Sequence, residues 1–154
     1  TELGETLRQT PLAAALVGDA SRHRGRYRSI GYRWFADPTS RARYASDDHE
    51  FLSRMFAAGL RELVGVRGPT SVAAAYANDL RSRSIEFAEL WDRHEVGVRP
   101  HATKRFVHPD VGSLELHCQT LLDPDQSHRL LVYTAVPGSV SHERLQLLSA
   151  LAPH

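Results

Sequence analysis

The chain has 154 residues, 42% hydrophobic and 24% charged, with a formal net charge of +1. That balance excludes dominant disorder, and no apolar run approaches the ~18 residues of a membrane span. A single cysteine, Cys118, excludes an internal disulfide and fits a reducing compartment. With no charged-then-apolar leader, the chain reads as cytoplasmic. Eighteen arginines stand against one lysine, Lys104. Seven of those arginines fall between Arg22 and Arg43 with one acid, Asp37, a local charge of +6. Such a tract can contact phosphates, but it reads first as a solvated surface or as a partner for acidic helices.

Residues 1–10 are polar and stop at Pro11, so residues 1–11 read as a linker from something upstream; the chain does not begin with Met. Leu12 to Val17 is a short apolar run, a strand or the end of a helix. Tyr27 to Trp34 is rich in aromatic and β-branched residues, a weak β start that breaks at Asp37-Pro38. Three helices are then expected. Asp47 with Glu50 forms a capping-box pattern ahead of Leu52, Phe56, Leu60 and Leu63, and Gly65 and Gly68 end the run. Pro69 suits the first turn of the next helix, which carries Val72, Tyr76 and Leu80. Ser84 caps a third, in which Phe87, Leu90, Trp91 and His94 share a face.

The period then changes. Thr103 to His108, a turn at Pro109–Gly112, and the alternation of Leu114, Leu116 and Cys118 with polar residues indicate two strands. After Asp123-Pro124-Asp125, the near-continuous apolar run Leu130–Ala135 reads as a third strand, central in its sheet. Leu145, Leu147, Leu148 and Leu151 form a closing helix capped near Ser139 or Ser141. The order predicts an α+β domain, an antiparallel sheet with helices collected on one face.

Signatures of catalysis are missing. His49-Glu50 and His142-Glu143 lack the second histidine of a zinc-protease helix, and His94, His101 and His108 fall on different elements. There is no nucleophile elbow and no phosphate loop. Cys118 reads as a small core residue. Large apolar groups are in surplus instead: Tyr32, Trp34, Phe35, Phe56, Tyr76, Phe87, Trp91, Phe106 and Tyr133 come from distant segments. Most are core, and some can line a cavity for an apolar ligand. Trp91 and His94 would place a flat wall beside a polar group. A four-residue turn turns Arg105 toward Leu114 and Leu116; one residue fewer or more turns Lys104 and Phe106 there. Whichever cation faces inward would suit a carboxylate headgroup.

Three segments carry a family resemblance: Glu86-Phe87-Ala88-Glu89-Leu90-Trp91-Asp92-Arg93-His94-Glu95-Val96, Lys104-Arg105-Phe106-Val107-His108-Pro109-Asp110-Val111-Gly112, and Leu130-Leu131-Val132-Tyr133-Thr134-Ala135-Val136-Pro137-Gly138-Ser139. Together with Tyr32–Pro38 and Ala58–Arg61, they resemble the MmyB-like ligand-binding domain of XRE-type helix-turn-helix transcription regulators, over roughly residues 12–151. Ser84-Ile85-Glu86 departs from the usual Ser-Pro-Glu. The resemblance implies a PAS-like sensor domain over residues 12–154, a fatty-acid-like apolar ligand and no other cofactor. It also implies contact with DNA only through a preceding domain that this sequence lacks. Homodimerisation is expected, and no membrane partner.

The candidate ligand-contacting residues are Tyr32, Trp34, Phe56, Phe87, Trp91, His94, Lys104, Arg105, Phe106, Leu116 and Tyr133. The leading functional reading is an effector-binding domain whose ligand lies between sheet and helices. Against it stand a ligand-free dimerisation scaffold and a small hydrolase-like enzyme using His94 or His108 as base.

Overall fold

The computed structural model describes residues 1–125 and 127–152. Helices α1 (Pro11–Val17), α2 (Ile30–Ala36), α3 (His49–Arg67), α4 (Val72–Arg83) and α5 (Ile85–Asp92) come first. Strands β1 (Thr103–His108), β2 (Gly112–Leu122) and β3 (Arg129–Thr134) follow, and α6 (Val140–Leu151) closes the fold. The α+β class holds, with a three-stranded antiparallel sheet in the order β1-β2-β3.

Side-chain caps set most helix starts. Thr10, Ser29, Ser71, Ser84 and Ser139 each accept from a backbone N–H of the first turn of α1, α2, α4, α5 and α6. Several sequence expectations change. The weak β start is instead the α2 helix, because Tyr32, Trp34 and Phe35 all bury there and packing overrides their strand preference. Helix α3 begins at His49 after a 3₁₀ turn, not at Asp47; Asp48 at its cap position spends its carboxylate on Arg105. Pro69 lies ahead of α4, whose first turn is closed by Ser71. Helix α5 ends at Asp92, so His94 does not extend its apolar face. His94 is exposed with φ +55°, and Arg61 satisfies the Trp91 carbonyl from outside the helix.

Two buried clusters result. Helices α2–α5 enclose Tyr32, Trp34, Phe35, Leu52, Tyr76, Leu80, Phe87 and Leu90. The sheet, α1 and α6 enclose Leu16, Phe106, Val111, Leu114, Leu116 and Leu148. Tyr44 packs against both, edge-on to Trp34 at 5.5 Å and tilted to Phe106 at 5.4 Å. The backbone beside it pairs with β1: Ala45 N–H donates to the Arg105 carbonyl at 3.1 Å.

The β1–β2 register pairs His108 with Gly112, so the turn holds three residues and Lys104 lies opposite Leu116. This settles the facing question: Lys104, Phe106 and His108 share the inner face with Leu114 and Leu116, and Arg105 points outward. Gly112 sits at φ +80°, a conformation natural to glycine at this turn. β3 is an edge strand, not a central one. β2 is the middle strand, pairing with β1 through residues 112–117 and with β3 through residues 117–122. Beyond Tyr133 the β2–β3 hairpin projects past the helical layer, with Leu130 60% and Leu131 49% exposed.

The leading residues lie against the body. Gly4 accepts from Ile30 N–H, Thr6 N–H donates to Arg28, and the Tyr76 hydroxyl donates to Glu5 at 2.9 Å.

Candidate functional site

The inner face of the sheet gathers polar groups around an apolar floor. Lys104 stands opposite Leu116, and one step along β2 Cys118 stands opposite Tyr133. The Tyr133 ring meets Phe106 edge-on at 5.3 Å. Burial pushes the Lys104 ammonium below its ordinary value, partly offset by Cys118 and Asp48. Asp48 is already engaged by Arg105, whose Nε donates to it at 3.0 Å. Lys104 is therefore a half-buried cation whose nearest carboxylate is taken. Burial raises the Tyr44 phenol to about 12 and raises Tyr133 as well, so both hydroxyls stay protonated donors at neutral pH. Past this cluster the same face continues to Thr120, Leu122 and Leu131, all exposed.

The predicted contact residues divide into three groups. Lys104, Phe106, Leu116 and Tyr133 come together on the sheet's inner face. Tyr32, Trp34, Phe56, Phe87 and Trp91 belong to the helical cluster. Trp34 is 1% exposed; its indole N–H donates to Ser53 at 2.8 Å, and Ser53 donates to Glu86 at 2.6 Å. Trp91 stacks on Phe87 at 5.4 Å, with the Arg61 guanidinium 4.1 Å above its ring. His94 and Arg105 stand apart from both groups, exposed on the surface. As for the candidate bases, His94 Nδ1 lies 2.8 Å from the Asp92 carbonyl. His108 Nδ1 accepts from Asp110 N–H, which leaves Nε2–H to donate to the Ala15 carbonyl at 3.1 Å.

Two cavities are described, and neither touches a predicted contact residue. One of about 320 Å³ lies between α1, Arg43, the β1–β2 turn and α6. The other, about 450 Å³, lies between Glu2, Leu3, Arg67 and the start of α4. The basic tract is mostly consumed inside the fold, Arg26 on Asp79 of α4 and Arg41 on Glu86 of α5. Tyr44 escaped the sequence reading, which took Arg43 only as one of the seven arginines of the basic tract. A lone aromatic following a run of arginines was the available signal for Tyr44, and nothing local set Arg43 apart.

The family model for the MmyB-like transcription regulator ligand-binding domain matches residues 1–148. The chain belongs to this family. No curated protein and no solved structure matches it. As an MmyB-like domain it is a ligand-binding domain of the transcription-regulator kind, and the matched span takes in the leading residues that pack on α2 and α4. Among the described residues of this MmyB-like domain, no helix is long and apolar enough to cross a membrane.

Proposed function

We propose that this domain senses a fatty-acid-like molecule for a helix-turn-helix regulator. The carboxylate sits on Lys104 and the chain lies along the inner face of the β2–β3 hairpin. The observation that carries the reading is the half-buried ammonium without a free carboxylate, at the head of an apolar strip that runs from the half-buried Tyr133 to the exposed Leu131 and Leu122. A carboxylate restores the lost solvation of Lys104, and the alkyl chain covers leucines now facing water. Binding would bias the regulator by the difference in affinity between two arrangements of the hairpin.

The test is thermal unfolding of the intact chain with saturated acids of graded length, from decanoate to palmitate. A ligand at a hundred times its Kd stabilises by about 2.7 kcal/mol, which a melting curve reads directly. Stabilisation growing with chain length and lost in Lys104→Met is the expected result. No shift with any acid refutes the reading.

A second reading is a dimerisation scaffold without effector. It is favoured by the position of the exposed leucines, which occupy both faces of the hairpin: Leu122 and Leu131 on one, Leu121 and Leu130 on the other. An acid lying on the inner face leaves Leu121 and Leu130 uncovered, whereas a second copy can cover them.

A further inference from the structure

Arg22, Arg26 and Arg41 of the basic tract all find carboxylates within the fold. Arg43 does not. It ends the 3₁₀ turn Pro38–Arg43, and its Nη1 is shut off from solvent with no hydrogen-bond partner among the described residues. A buried guanidinium N–H without an acceptor is destabilising unless something supplies one. Arg43 borders the cavity of about 320 Å³.

The walls of that cavity define what fits. Ala14 and Ala15 of α1 and Leu148 and Leu151 of α6 make one side apolar. His108 has both ring nitrogens engaged with backbone groups. At the rim Arg22 is paired with Asp19 at 3.3 Å and is 82% exposed. The unmet demand is one buried cationic donor, which asks for one anionic acceptor. A dianion would face Asp19 and Asp110 at the same rim. The volume lies at the small end of ligand sites, which span about 300–1,000 Å³.

We propose that this cavity is a second ligand site. It takes a small monocarboxylate whose compact apolar body lies between α1 and α6 and whose carboxylate draws the unpartnered Arg43 guanidinium out into the cavity it borders. The site is separate from Lys104. Along the inner face of β1, His108 lies four residues from Lys104, about 13 Å at strand spacing. An occupant would join α1 to α6, which approach each other across this space.

The experiment titrates the intact chain with benzoate and hexanoate, with inorganic phosphate as control, by calorimetry and thermal unfolding. At least one acid binds and raises the melting temperature, and phosphate does neither. Arg43→Met weakens binding about tenfold or more, the usual value of a charge-assisted hydrogen bond. The unliganded melting temperature of Arg43→Met does not fall, because the lost group had no partner to lose. Lys104→Met leaves benzoate affinity unchanged, which separates this site from the sheet face. Ala14→Met fills the cavity from α1 and abolishes binding with Arg43 in place, an independent check should Arg43→Met fold poorly. No binding of either acid overturns the proposal, as does parental affinity in both Arg43→Met and Ala14→Met, or binding of phosphate as tight as that of the acids.

Discussion

Single side chains show where several arginines of the basic tract are spent. Asp79 on α4 accepts from the Tyr32 hydroxyl, and Arg83 at 2.9 Å and Arg26 at 3.3 Å flank it. The Tyr32 hydrogen bond, then the two guanidiniums, hold its carboxyl below the usual aspartate range. A depressed folded value means stability that is present above the unfolded pKa and lost as pH falls through the folded one. Asp79→Asn is therefore less stable than the parent at pH 7, and the gap closes on acidification below about pH 4. Urea unfolding at pH 7, 5 and 3 measures this; a gap independent of pH contradicts the assignment. The pairing of tract arginines with acids on α4 and α5 was one of the three readings open from composition. Arg43 was illegible, because its surroundings are built by α1, the β1–β2 turn and α6, segments far from it in the chain.

Elements divide along the same line between local and distant causes. Ser84 and Ser139 cap their helices as their sequence positions suggest, because capping is a contact across three residues. The fate of Tyr32, Trp34 and Phe35 depended instead on α3, α4 and α5 being present to bury them. Register is the sharpest case: a turn of three rather than four residues decides whether Lys104 or Arg105 faces the core, and nothing in Pro109–Val111 announces its length. The apolar run of β3 pointed to burial, yet its leucines are exposed at the sheet's edge. Two substitutions contrast the halves of the sheet. Leu116 is 0% exposed, and Leu116→Ala costs about 2–5 kcal/mol. Leu131→Ala changes stability by less than about 0.5 kcal/mol. Chemical denaturation of both variants checks this, and equal losses would mean the hairpin is covered in solution.

For the molecule as a whole, two hydrophobic clusters meet at Tyr44. The α+β class and the sequence of helices before strands were legible, since hydrophobic period and turn residues report them directly. The position of the apolar strip was not, because it depends on where the helical layer stops. The exposed leucines of the other face bear on association. If the hairpin pairs with a second copy, Leu121→Gln with Leu130→Gln shifts the chain toward monomer in light scattering after lipid extraction. If an acid alone covers the inner face, that double variant leaves both mass and acid binding unchanged, since both positions lie on the other face.

The middle strand meets its two neighbours along different halves, overlapping only at His117. It is a beam held by β1 along one half and by β3 along the other, where the leucines face water. A load placed on the overhang near Leu131 reaches the buried half through both strands of the hairpin, along β2 to Leu116 and along β3 to Tyr133. It arrives first at Leu116, Phe106 and the flanking helices α1 and α6, and reaches the four-helix cluster only afterwards, by way of the Tyr44 ring.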